Sequence, residues 1–408
     1  MTLMVRVPYN KGEPSFLTTP RAPILHGYRR EVVAIAALKN RRPRNRWCVV
    51  GAGAGGQALA GCLALRRQRV TLLNRSPENI EIISQQGGIK VTGELKGFGR
   101  LKVATTDPAR ALEGVKVIMV AVPATGHRWV AAQLAPHLRP NQIVVLNPGR
   151  TGGALEFRNT LYRLGVNGVV VAEASTLLVA SRLAGPGHVH IHGFKKQVPV
   201  ASIPAWETAR TCTALRRAFP GVVRAESVLE TSLGNIGAIF HPIPTLFNAA
   251  RIESGDGPFD YYRQGVTRSV ARVMLSVDRE RLNVARALGL ELPDLLGWMG
   301  QIYGVYRDDL MTALRDNPAY QGIKAPATVE HRYLLEDVPM GLVPMAHMGE
   351  ILGVPTPCMR QVVEGASLLL GVDLWRQGRD PMNMGIQGLT SQEIVNLAYT
   401  GYREELVV

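Results

Sequence analysis

Trp47-Cys-Val-Val-Gly51-Ala-Gly53-Ala-Gly-Gly56-Gln-Ala-Leu-Ala60 sets G-x-G-x-x-G between a short apolar run and a helix-forming one. The glycines have separate tasks. Gly51 permits a tight turn, Gly53 removes a side chain that would block a pyrophosphate, and Gly56 lets the helix lie close to its strand. The helix N-terminus then offers free N–H groups to the anion. A second apolar strand, Val70-Thr-Leu-Leu73, follows at the spacing the fingerprint demands. The expectation is a Rossmann-type, doubly wound parallel sheet that binds a nicotinamide dinucleotide. At the end of that second strand, NAD-preferring sites carry Asp or Glu for the ribose 2′-hydroxyl. Here the chain reads Asn74-Arg75-Ser76, a guanidinium, an amide and a hydroxyl suited to a 2′-phosphate. NADP(H) is therefore the expected cofactor, with NAD(H) as the alternative.

The rest of the composition narrows the class. With 408 residues, 46% of them hydrophobic and 19% charged, the chain has room for two domains and a large core. No run approaches the ~18 uninterrupted apolar residues of a membrane span. Cys48, Cys62, Cys212 and Cys358 are scattered without C-x-x-C, which argues against a disulfide scaffold or zinc site and fits a reducing, cytoplasmic compartment. Residues 1–46 carry ten Lys/Arg against two Glu, +8 of the total +15. They lack the aromatic interleaving of a nucleic-acid module, so residues 1–45 are expected to be a basic, flexible extension. The remaining positive charge suits an anionic cofactor and carboxylate substrates.

Beyond the fingerprint, strands and helices alternate. Helices are expected over 77–86 and 129–138. Strands are expected in the apolar run Lys116–Val122, at 142–146 and at 168–172. His188–Gly193 and Gln197–Ser202 alternate in polarity and are expected to pair as antiparallel additions to the sheet. Ligands of such sheets bind beyond the strands' carboxyl ends, so Val122, Pro123 and Asn147 are expected to wall the nicotinamide. From about Ser227 the period changes to 3.6. Val266, Val270, Val273 and Val277 share one helix face, opposite Arg268, Arg272, Arg279 and Arg281. The expected layout is 46–226 for the cofactor domain and 227–408 for an all-helical second domain.

Two segments of that second half, Gly234-Asn235-Ile-Gly-Ala-Ile-Phe-His241-Pro242 and His331-Arg332-Tyr-Leu-Leu-Glu336-Asp337-Val-Pro339-Met-Gly341-Leu-Val-Pro344, resemble the octopine/nopaline (opine) dehydrogenase family. The likeness extends through Val122-Pro123-Ala, Asn147–Gly153, Glu173-Ala-Ser-Thr176, Ser269–Val273, Asp278–Arg281, Pro355-Thr-Pro357 and Gly388-Leu389. It implies reductive condensation of an amino acid amine with a 2-oxo acid. By motif, His241 is the expected acid/base and Asp337 its orienting partner. Arg332 is the expected carboxylate ligand, and Asn235 lines the same pocket. The chemistry needs these types: an imidazole moves protons near neutral pH, a buried carboxylate fixes its tautomer, and a guanidinium clamps a carboxylate. The partners so implied are small molecules, with a homodimer left open.

One departure stands out. After Ala-Ser-Thr176 the chain has Leu177-Leu-Val179 where the family leads one to expect proline and an aromatic, which bears on the choice of substrate. A 2-hydroxy-acid or glycerol-3-phosphate-like dehydrogenase is the enzymatic rival, but Tyr261–Leu288 holds arginines and no lysine to serve as its catalytic group. A non-catalytic NADP(H)-binding sensor is the third reading. His188, His190 and His192 lie on one strand face without an acidic or thiol partner, so no metal is expected.

Overall fold

Alternate residues of the first strand face two different cores, and this division organises the molecule. In β1 (Arg46–Val50), Trp47 and Val49 point into one apolar cluster, Cys48 and Val50 into the other. Strands buried on both faces read as continuous apolar runs, which is why Val117–Val120 and Ile143–Leu146 carry no polar residue. The computed structural model describes residues 46–402 except Asp256. The expectation for residues 1–45 lies outside the described residues.

β1 is followed by β2 (Arg69–Leu73), β3 (Gly88–Gly93), β4 (Gly97–Arg100), β5 (Val103–Thr105) and β6 (Val117–Val120). Then come β7 (Ile143–Leu146), β8 (Val170–Ala174), β9 (Val179–Gly185), β10 (His188–Phe194), β11 (Val198–Ile203) and β12 (Val222–Arg224). Eight of them form one sheet in the order β12-β11-β8-β7-β6-β1-β2-β5, parallel except where β11 runs against β8. The carboxyl ends of β1, β6 and β7 therefore open on the same edge, and the loops after them meet there.

The other four strands make a second sheet, β4-β3-β10-β9. It lies on α1 (Ala54–Leu65), with Ile89, Val91, Val189 and Ile191 in the same cluster as Leu59 and Leu63. This corrects the expected pairing of His188–Gly193 with Gln197–Ser202. β10 pairs with β3 and β9, whereas β11 sits in the main sheet beside β8. The burial pattern gives the reason. β10 buries Val189 and Ile191 and leaves His188, His190 and His192 outward, while β11 is buried on both faces from Val200 to Ile203. A strand with a wet face and a strand without one do not belong side by side in an interior sheet. Thr92 Oγ1 lies 3.0 Å from His188 Nε2 and 3.3 Å from His190 Nδ1. Among the described residues no group of three His, Cys, Asp or Glu is placed to hold a metal.

After β6 comes α2 (His127–Leu134), and after β7 comes α3 (Gly153–Arg163). Past β12 the structure is helical. α4 (Val228–Leu233), α5 (Gly237–Phe240) and α6 (Pro242–Phe247) lead to α7 (Arg268–Ala287), capped by the Thr267 side chain. α7 buries Val270, Met274 and Val277 and exposes Arg268, Arg272 and Arg279. Arg281 departs from the expected solvent face and is wholly buried. It pairs with Asp278 at 2.7 Å and donates to the carbonyls of Leu233 and Pro293. Removing one partner of such a pair costs about 3–5 kcal/mol, so this arginine serves the core. α8 (Arg332–Leu335) and α9 (Val343–Ile351) bracket a single π-helical turn, Val338–Leu342. Among the described residues no helix is long and apolar enough to cross a membrane.

Candidate active site

His241 stands at the break between α5 and α6, where Pro242 takes the first helical position and ends the preceding turn. Asp337 stands just before the π-helical turn, a feature that recurs at functional sites. The two elements bring His241 Nδ1 to 2.8 Å from Asp337 Oδ2. An ionised carboxylate only accepts, so Nδ1 carries the hydrogen and Nε2 is the free nitrogen. Tyr333 stacks on the imidazole at 4.2 Å with an 11° tilt, and the Tyr261 hydroxyl donates to the His241 carbonyl. The His241 side chain keeps 24% exposure while Asp337 has none.

Burial by itself would raise the Asp337 carboxyl, but Arg150 and then His241 outweigh it and hold it below its ordinary value. Arg150 Nη1 lies 2.6 Å from Asp337 Oδ1 and its Nε 3.5 Å from Glu336 Oε1. It belongs to the loop after β7 and has a left-handed backbone, φ 61°. Each oxygen of the buried Asp337 thus faces a different cation or potential cation.

Further polar contacts fix the loops that wall this place. The N–H of Ala124 donates to Glu336 Oε1 at 3.0 Å, tying the loop of Val122 and Pro123 to the residue beside Asp337. Arg379 is fully buried between the two loops. It donates to Glu156 Oε2 at 2.7 Å, to the Gly149 and Thr151 carbonyls at 3.2 and 2.8 Å, and to the Ala124 carbonyl at 3.3 Å. Its Nη2 also meets His127 Nδ1 at 2.9 Å, and burial with two nearby arginines pushes His127 well below its usual range. Glu173, at the end of β8, accepts from the Ala154 N–H and from the hydroxyls of Thr231 and Ser232. Burial raises its carboxyl in spite of those bonds.

The crevice at the end of β1 fits a dinucleotide. Gly51 has φ 105°, and a Cβ there would lie 2.5 Å from the Ala121 carbonyl oxygen. A Cβ at Gly56 would overlap the Gly51 carbonyl. Over Gly53 there is open space within 4 Å, at the start of α1, whose first turn holds no acidic residue and no side-chain cap. That leaves α1 N–H groups for an anion. Asn74 is used differently from expectation. Its Oδ1 accepts from the Ala52 N–H at 3.0 Å and its Nδ2 donates to the Ser76 carbonyl, so the amide shapes the turn. Arg75 is exposed, 5.6 Å from the Trp129 ring. Val122 lies against Gly51, and Pro123 precedes the tethered Ala124. Asn147 is buried and its amide donates to the Val145 carbonyl, which makes it a brace under the loop.

Arg332 lies 3.3 Å from Glu336 with half its side chain exposed. It is the least constrained charge of the group, since an exposed i,i+4 pair contributes little. Asn235 is buried and donates to Thr151 Oγ1 at 3.2 Å. His241, Asp337, Asn235 and Arg332 are thus gathered around the loops after β6 and β7. Sequence reasoning missed Arg150, Glu173 and Glu336, although all three lie inside or beside the quoted motifs. It also missed Tyr333, which is within one of them. Arg379 had no sequence signal.

Residues 224–370 match the family described as NAD/NADP octopine/nopaline dehydrogenase, alpha-helical domain, and residues 47–204 match ketopantoate reductase PanE/ApbA. An opine dehydrogenase from Arthrobacter sp. (strain 1C) is 38% identical over 349 residues, covering 85% of this chain and 97% of that enzyme. A solved octopine dehydrogenase in complex with NADH and agmatine superposes with a TM-score of 0.76 at 23% identity, covering 88% of this chain and 99% of the other. NADP+-bound yersinopine dehydrogenase gives 0.66 at 17% identity, covering 88% and 98%. The chain belongs to the octopine/nopaline (opine) dehydrogenase family.

Proposed function

We propose that this protein condenses the amine of an amino acid with a 2-oxo acid and reduces the product to a secondary-amine dicarboxylate, with NADPH preferred over NADH. The carrying observation is the 2.8 Å contact of His241 with a fully buried Asp337, next to the loop tied through Ala124. Residues 46–226 form the cofactor half and 227–408 the substrate half.

The residues divide the work by type. The α1 N-terminus and the open face of Gly53 receive the pyrophosphate. Arg75, with no carboxylate at Asn74 or Ser76 to oppose it, attracts the 2′-phosphate. The bound nicotinamide supplies the hydride. His241 Nε2 takes a proton from the substrate ammonium so that the free amine can add to the carbonyl, and returns it to the carbinolamine hydroxyl, which leaves as water. Asp337 holds Nδ1–H and stabilises the imidazolium form. Arg332 can turn from Glu336 to a substrate carboxylate, because half of it is exposed. Asn235 lines the floor.

The test is NADPH oxidation with pyruvate alone, with a panel of amino acids alone, and with both. Turnover that requires both is expected. Turnover on the oxo acid alone would make it a hydroxy-acid dehydrogenase, and none under any pairing would remove the enzymatic reading.

A further inference from the structure

We infer that Arg150 is a positioning residue of the reaction centre, whose buried guanidinium orients Asp337 and offsets its charge beside His241. The inference rests on the reading of His241 as the acid/base.

Three observations carry it. First, Arg150 and His241 divide the Asp337 carboxylate between them, Nη1 at 2.6 Å from Oδ1 and Nδ1 at 2.8 Å from Oδ2. With Oδ2 bonded to Nδ1 and Oδ1 in ion-pair range of Nη1, turning Asp337 away from the imidazole would part both pairs. Second, Arg150 is 93% buried in its side chain, and its backbone is left-handed although it is not glycine. Such a conformation costs of order 1 kcal/mol or more and persists where the surroundings demand it. Third, space is kept for it. A Cβ on Gly237 would lie 3.1 Å from Arg150 Nη1, 3.4 Å from Asn235 Oδ1 and 3.5 Å from His241 Cε1. The glycine leaves room for guanidinium and imidazole side by side.

The charges around His241 give the sign. From its own partner segment come Asp337, Glu336, Arg332, His331 and Tyr333, and from other elements Arg150 and Tyr261, with Arg182 of β9 acting on Tyr333. Burial, and then Arg332, lowers His331 below its ordinary value, and burial raises both tyrosines. Two carboxylates therefore face two guanidinium groups. Arg332 is half in water, so Arg150 is the buried counterweight. Without it, Asp337 would have the imidazole alone across from it. Loss of the positive charge favours the imidazolium, whereas a loosened Asp337 disfavours it, so the lost charge sets the sign.

The experiment measures kcat/KM against pH in the two-substrate assay for the wild type, Arg150→Gln, Arg150→Lys and His241→Gln, with NADPH affinity by fluorescence. Arg150→Gln should bind NADPH as before, and its controlling ionisation should move up by about one pH unit. Arg150→Lys, which retains the charge, should stay near the wild type. An unmoved profile in Arg150→Gln, or an equal displacement in Arg150→Lys, would overturn the inference. So would a change confined to the KM of one carboxylate substrate, which would make Arg150 a substrate ligand. If Arg150→Gln does not accumulate folded, Gly237→Ala decides: it retains every charge but crowds Nη1, and a smaller displacement of the same sign is expected, its absence counting against the inference. His241→Gln separates the two levels. If it keeps both rate and ionisation, the acid/base reading has failed. If it loses them while Arg150→Gln leaves the profile in place, only the role of Arg150 has failed.

Discussion

The two ends of the crevice are built on opposite plans. At the His241 end the buried charges have partners: Asp337 the imidazole and Arg150, Glu336 the Ala124 N–H, Arg379 Glu156 and three carbonyls. At the Arg75 end one amide is fixed within the turn, and the cation lies exposed beside Trp129. In a buried network of paired charges, removing one member leaves others unpaired in a low-dielectric place. An exposed arginine can be exchanged with little consequence for the fold. Loss of charge should therefore be costly among the buried members of the reacting end, whereas the cofactor end can be retuned.

The largest effect should come from His241→Ala. Removing a positioned acid/base lowers kcat by roughly 10²–10⁴-fold, and NADPH affinity should stay close to wild type because the glycine crevice is untouched. A kcat within threefold of wild type would remove His241 from the chemistry. Next comes Arg332→Ala, read in the KM for each substrate. A charge-assisted bond to a carboxylate is worth about 1.5–3 kcal/mol, so one KM should rise about tenfold or more with kcat little changed. Equal KM values would return Arg332 to the role of a surface ion-pair former.

At the other end, Arg75→Asp replaces attraction by repulsion at the 2′-phosphate. The kcat/KM for NADPH should fall about tenfold or more while that for NADH holds, one unit of ten being about 1.4 kcal/mol. A wild type that already favours NADH tenfold would sink the assignment. The smallest effect is on stability against pH. The Nδ1 of His127 accepts from Arg379, and protonation there would set a second N–H against the guanidinium. Its folded value is depressed, so stability is complete above the ordinary 6.5 and falls as the pH drops below it. Asp337, also depressed, contributes above its ordinary 3.8, and that contribution is lost only as the pH falls through its lower folded value. Denaturant unfolding at pH 7.5 and 5.5, each run in wild type and His127→Gln, should show a smaller loss in the variant; parallel losses would contradict this.

The same contrast describes what could be read from the sequence. The order of apolar runs after Gly51 gives the main sheet, because strands covered on both faces have an unmistakable composition. The second sheet was hidden. β3 and β4 contain Gly88, Gly93, Gly97 and Gly99, which resemble loop residues, and one of the two partners of His188–Phe194 is nearly a hundred residues earlier in the chain. At the site, the resemblance brought His241 and Asp337 forward, and the fold sets them in contact. Arg150, Arg281 and Arg379 were not legible for one physical reason. In a chain with 47 Lys/Arg, an arginine looks like a solvated surface residue until its burial is seen. Asn74 shows the reverse: its type fitted a ligand contact, but its amide bonds within the turn.

The proposed chemistry requires His241 and Asp337 to act as one unit. A double-mutant cycle on kcat, with both substrates and saturating NADPH, measures this through His241→Ala, Asp337→Asn and the pair combined. If Asp337 works by holding the imidazole, its loss has nothing left to act on once the imidazole is gone. The double variant should then be no more than about twofold slower than His241→Ala alone, although Asp337→Asn by itself slows the enzyme substantially. Losses that multiply would contradict the account.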